Sequence, residues 1–104
     1  MQFTHTAYTP EQPPSAAVLL RSICERHRVT RDMLRSSSRY QTPVHIRHFA
    51  MWMLHRYGCS YSAIGRMLNR NHASVIHGCR LADAAQDEPG LLGLEVRRVL
   101  GLGG

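Results

Sequence analysis

Apolar residues recur along this chain at spacings of three and four, in segments separated by polar or turn-forming residues, and that pattern predicts an all-α domain of five or six helices. Ser15 can cap a first helix that runs to about His27, with Val18, Leu19, Ile23 and Cys24 on its inner face. Thr30 caps a short helical turn through Met33 and Leu34, and a polar loop follows at 36–41. Thr42 and Pro43 form a good helix start, since Thr supplies a capping oxygen and Pro at the first helical position loses no needed donor. The helix they open carries Ile46, Phe49, Ala50, Met53, Leu54 and Tyr57 on one face and should be the longest element of the core, ending at Gly58. Ser60 caps the next segment, whose apolar residues are Ile64, Met67 and Leu68. Gly65 lies inside that helix at a cost of roughly 1 kcal/mol against Ala, which close helix-helix packing would justify. Asn71 caps a further helix with Val75, Ile76, Cys79 and Ala82 inward and Ala73, His77 and Arg80 outward, and Pro89-Gly90 closes that segment. A last amphipathic helix holds Leu92, Val96, Val99 and Leu100. Residues 1–14, rich in Thr and Pro, read as a flexible arm, 15–100 as the helical domain and 101–104 as a flexible tail.

Within that series, residues 61–80 have the form of a helix-turn-helix. A short helix meets a polar break at Asn69-Arg70-Asn71, and the second helix then offers small polar side chains, His and Arg on its outer side. The charge distribution agrees with a DNA-binding role. The chain has 104 residues, a formal net charge of +6 and a pI of about 10.0, and such a balance favours a polyanionic partner. No acidic residue occurs between Met33 and Ala82, whereas Arg35, Arg39, Arg47, Arg56, Arg66, Arg70 and Arg80 all do. The carboxylates, Glu11, Glu25, Asp32, Asp83, Asp87, Glu88 and Glu95, lie toward the two ends. All 13 basic residues are Arg; their forks suit phosphate and guanine edges, although a compositional bias of the genome accounts for the missing Lys equally well.

Other chemistries find little support. The length suits one small domain with a single core. Cys24, Cys59 and Cys79 are odd in number and form no C-x-x-C, which argues against a disulfide framework and for small core residues in a reducing interior. His45 and His48, and His77 with Cys79, lack the compact four-ligand spacing of a zinc site, so no metal and no cofactor is expected. No apolar run approaches a membrane span and no signal pattern opens the chain, so a cytoplasmic, nucleoid-associated protein is expected. The region richest in His has no Asp or Glu to orient an imidazole, no G-x-S-x-G is present and no H-x-E with P-C-x-x-C occurs, which speaks against an enzyme. Trp52, the single Trp, is assigned to the core, with a contact to a partner as the alternative.

The blocks Arg47-His48-Phe49-Ala50-Met51, Ser62-Ala63-Ile64-Gly65-Arg66 and Arg70-Asn71-His72-Ala73-Ser74-Val75-Ile76-His77-Gly78-Cys79-Arg80 resemble, in order and spacing, the C-terminal DNA-binding domain of the bacterial replication initiator DnaA. The resemblance covers roughly residues 15–100. It implies a Trp-repressor-like helix-turn-helix whose second helix enters the major groove of a short A/T-rich site, with an Arg at the position of Arg47 in the adjacent minor groove. It further implies base-edge contacts from Asn71, His72, Ala73 and Ser74 and backbone contacts from Arg70 and His77, with Ser62, Arg66 and Arg80 completing the DNA-facing set. Two positions depart from the family pattern: its acidic residue is Asn71 here, and its hydroxylated residue two positions later is Ala73. Asn pairs with adenine, and Ala meets only a thymine methyl, so the preferred site is expected to differ from the family's at one or two base pairs. No P-loop occurs and no Lys exists to supply one, so the chain is expected not to hydrolyse ATP but to act as a stand-alone module. The expected function is sequence-specific binding of double-stranded DNA at initiator-box-like sites, regulating replication initiation or transcription. The alternative is a helical module that binds a replication or transcription protein, with DNA contact secondary.

Overall fold

A computed structural model of the chain describes residues 15–37 and 43–102. The expected arm at 1–14, the loop at 38–41, the Thr42 cap and the last two residues lie outside the described residues. Within them the chain forms six helices: α1 (Ala16–His27), α2 (Arg31–Arg35), α3 (Val44–Tyr57), α4 (Tyr61–Leu68), α5 (His72–Ala85) and α6 (Leu91–Leu100). The fold is all-α, as the periodicity predicts.

Three of the six described helices start on a side-chain cap. Thr30 Oγ1 accepts from Met33 N at 3.0 Å, Ser60 Oγ from Ala63 N at 3.1 Å and Asn71 Oδ1 from Ser74 N at 2.8 Å. Each cap satisfies a backbone donor that has no intrahelical acceptor. Two expected starts are built otherwise. Ser15 makes no side-chain cap and turns its hydroxyl to that of Tyr57, while Pro43 precedes the first turn of α3 and its carbonyl accepts from Ile46 N and Arg47 N at 3.0 Å each.

α3 packs against all five other helices, which explains why its buried residues do not form a single stripe. Ile46, Phe49, Ala50 and Leu54 are buried as the spacing predicts, but so are Met51 and Trp52 from the other sides. Two assignments are corrected at the rim. Tyr57 is 46% exposed and Val18 51%: α1 turns Ala16 and Leu20 to the core instead, and Tyr57, at the last turn of α3, directs its hydroxyl to that of Ser15. Trp52 is core, and its Nε1 donates to Asp83 Oδ1 at 3.1 Å, so the ring ties α3 to α5 while the Arg56 guanidinium covers its face at 4.9 Å.

The three thiols are free and buried, and burial raises the pKa of each; that of Cys79, with Asp83 adding to the effect, reaches about 11. They are protonated packing groups at neutral pH. No described helix is long and apolar enough to cross a membrane.

Candidate nucleic-acid interface

α4 and α5 meet across a turn of three residues. Asn69 closes α4 in the left-handed conformation at φ 57°, and its N–H and that of Arg70 both return to Gly65 O, the latter at 2.8 Å. Asn accepts that conformation more readily than most residues. The turn folds back so tightly that a Cβ at Gly65 would sit 2.3 Å from Arg70 O, a backbone atom that cannot yield. The small residue required at this place is therefore set by a backbone-to-backbone approach. A second close approach seats α5 on α3, where a Cβ at Gly78 would meet Met51 Sδ at 2.4 Å and the His48 ring at 3.0 Å.

α5 is thereby fixed by its inner side and presents its outer side. Val75, Gly78, Cys79, Ala82 and Ala85 are buried, while Asn71, His72, Ala73 and Ser74, followed by His77 and Arg80, are exposed. Ala73, His77 and Arg80 follow one another at helical spacing on one face. An open groove of about 610 Å³ beside the turn is lined by Ser62, Arg66, Arg70, Asn71 and His72. The structure thus brings together five of the ten residues expected to face DNA in one concavity and lays Ala73, Ser74, His77 and Arg80 along the helix that leaves it.

The arginines here are not equivalent. Arg70 spends its fork inside the protein: Nη1 donates to Arg35 O at 3.1 Å, Leu68 O at 3.2 Å and Asn69 O at 3.0 Å, and Nη2 to Ser36 O at 2.6 Å. Arg35 does the reverse, its Nη1 donating to Arg66 O at 2.9 Å and Met67 O at 2.8 Å, while Asn69 Nδ2 donates to Arg35 O at 3.4 Å. Two guanidinium groups so cap the C-terminal carbonyls of each other's helices, where a positive charge also complements the helix dipole. This clasp between α2 and the turn is not visible in the periodicity of the chain, although an Arg at the end of one short helix and another two residues past the next are its signal.

Arg47, on the first turn of α3, is half-buried, and its Nη1 is enclosed with no hydrogen-bond acceptor among the described residues. Burial, and next the positive charge of Arg70, weaken its cation, so the site favours a negative partner. Beside it, His48 is held below the usual imidazole pKa by burial and then by Arg47, His77 and His45. The His48 and His77 rings meet edge to face at 6.4 Å between centroids. Among the described residues, no group of three or more His, Cys, Asp or Glu is placed to hold a metal.

A braced first helix, a tight turn and a fixed second helix with exposed short side chains define a helix-turn-helix DNA-binding module. The bacterial DnaA protein helix-turn-helix family matches residues 17–81, and the chain belongs to that family. A curated relative, the chromosomal replication initiator protein DnaA of Desulfatibacillum aliphaticivorans, is 43% identical over 61 residues, which make up 58% of this chain and 13% of the relative. The chain therefore matches only a small part of that relative's length. No solved structure matches it.

Proposed function

We propose that the chain binds double-stranded DNA sequence-specifically, with the first turn of α5 in the major groove and Arg47 in the neighbouring minor groove, at A/T-rich sites related to initiator boxes. Bound there, it regulates replication initiation or transcription. The observation that carries this reading is the run of four consecutive exposed side chains, Asn71, His72, Ala73 and Ser74, on a helix whose opposite side is locked into the core. Membership of the DnaA family supports it, as does the acid-free stretch between Met33 and Ala82.

His72 and Ser74 read base edges, and His77 and Arg80 follow the backbone. Arg70, its fork engaged by four carbonyls, contributes charge to the phosphates and holds the turn in place. Arg47, whose Nη1 is enclosed and unpaired among the described residues, gains an acceptor by turning its guanidinium outward into a narrow, electronegative minor groove.

Selection of bound sequences from a random duplex pool tests the reading directly. The wild type should enrich one motif, and Arg47→Ala with His72→Ala should enrich none. Affinity for the selected site should fall steeply between 50 and 200 mM salt, as for a protein that engages roughly 5 to 8 phosphates. A second reading, a module docking on a replication or transcription protein, is favoured by Leu91 and Leu94, exposed on α6. Salt-insensitive behaviour and no enriched motif would establish it instead.

A further inference from the structure

We infer that His48 and His77, side by side at the seam of α3 and α5, form a proton-linked seat for a DNA phosphate, so that binding takes up a proton and affinity rises as pH falls. This rests on the DNA-binding reading above and adds to it a dependence on pH.

The seat is built from both helices. The two rings meet edge to face at 6.4 Å between centroids and 84° between planes, with His77 exposed and His48 half-buried. The close approach at Gly78 fixes His48, whose Cδ2 lies 3.0 Å from where a Cβ would stand. Neither imidazole makes a hydrogen bond among the described residues. The enclosed unpaired polar atoms of those residues are His27 Nε2 and Arg47 Nη1, so the His48 nitrogens, unpaired but not enclosed, reach the surface.

The surroundings offer this pair cations and no counter-ion. Around His48 stand Arg47 and His45 from α3 and His77 from α5, and Arg70 of the turn acts on Arg47 in its turn. His45 also lines a cavity with Arg26, His27 and Glu95, but that carboxylate is taken by Arg26 and Arg98. Asp83, the first carboxylate along α5, accepts from Trp52 Nε1. Burial first, and then the neighbouring positive groups, hold the His48 imidazole below its usual pKa in the free protein. A phosphodiester at the seam supplies negative charge and reverses that balance. A proton on one ring disfavours a second on its neighbour, so the seat gains about one proton, not two. Because the value in the complex is then the higher one, the gain in affinity is complete below the free-protein value and is lost as pH rises through the value in the complex.

Binding of the full chain to the duplex that selection enriches, at constant ionic strength, tests this between about pH 5.5 and 8. The wild type should bind roughly tenfold tighter at the acid end, as a displacement of one pKa unit gives, and H48Q no more than about twofold, the remainder coming from exposed His72. Calorimetry in two buffers of different ionisation heat should show about one proton taken up by the wild type near pH 6.5, and less than half of that by H48Q. In the wild type itself, imidazole NMR should show the His48 titration moving to higher pH when the duplex is added, and this measurement decides if H48Q does not fold. An equal pH ratio in wild type and H48Q, or a His48 titration that stays in place or moves to lower pH on the duplex, would overturn the inference. A wild type that binds no duplex at any pH would instead sink the DNA-binding reading, and this inference with it.

Discussion

The molecule keeps its arginines in two kinds of company. Between the end of α1 and α6, Glu95 is buried and draws Arg26 Nε at 2.9 Å and Arg98 Nη2 at 3.1 Å onto one carboxylate, with His27 Nε2 3.1 Å away but outside hydrogen-bond geometry. At the helix-turn-helix, among the described residues, Arg35 and Arg70 donate to backbone carbonyls. The first arrangement offsets one of two positive charges; the second occupies donors and leaves both charges standing. A carbonyl can hold a guanidinium in place without neutralising it, so the face proposed to meet DNA is rigid and still positive. The cluster at Glu95 serves the fold and carries one uncompensated charge where the turn carries two.

The contrast is sharpest at Arg70. Arg70→Gln should cost about 3 kcal/mol of stability, since several charge-assisted bonds to carbonyls are lost together, and chemical denaturation would measure it. Arg70→Lys keeps the charge but cannot fork, and should recover less than half of the loss. Wild-type stability in Arg70→Lys would show that charge, not carbonyl capping, is what this face needs.

Glu95→Gln should come next, at about 2 kcal/mol near neutral pH, with DNA affinity within twofold of wild type. Arg26, then Arg98, hold the Glu95 carboxyl at about 2 against its usual 4.5. Because the folded-state value is the lower one, the stabilisation is complete above about pH 4.5 and is lost as pH falls toward 2. The gap between wild type and Glu95→Gln should therefore close over that window in denaturation series taken at successive pH values. The smallest effect on stability belongs to Arg47→Met, which removes an enclosed donor without an acceptor: stability should rise by up to about 1 kcal/mol while affinity for the selected site falls about tenfold. A loss of both would mean that Arg47 is a structural residue.

Much of this was readable in the chain, for reasons that differ by element. Thr30, Ser60 and Asn71 cap where their hydroxyl or amide chemistry predicts, because a cap is decided within four residues. The apolar residues that the spacing of α4 names, Ile64, Met67 and Leu68, are all buried. α3 is harder to read, since neighbours on every side bury Met51 and Trp52 along with the expected stripe. Val18 and Tyr57 were misplaced because an apolar residue at a helix rim is buried only if a neighbour reaches it, and spacing does not report how far the neighbour extends. The ten residues expected at the interface were nameable from the motif, but their division of labour was not. That Arg70 is held by carbonyls from the end of α2 depends on a contact across more than thirty positions.

The two glycines that seat α5 also constrain how such a module can change its target. A recognition helix free to slide or roll could acquire a new site by re-docking, with every side chain shifting against the bases at once. Here α4 closes on the turn at Gly65 and α5 closes on α3 at Gly78, so any slide of the helix would have to rebuild both close approaches. New preferences must then be written one mark at a time, by exchanging exposed residues while the helix stays where it is. That makes the first turn of α5 a favourable place to reprogram recognition in small, independent steps.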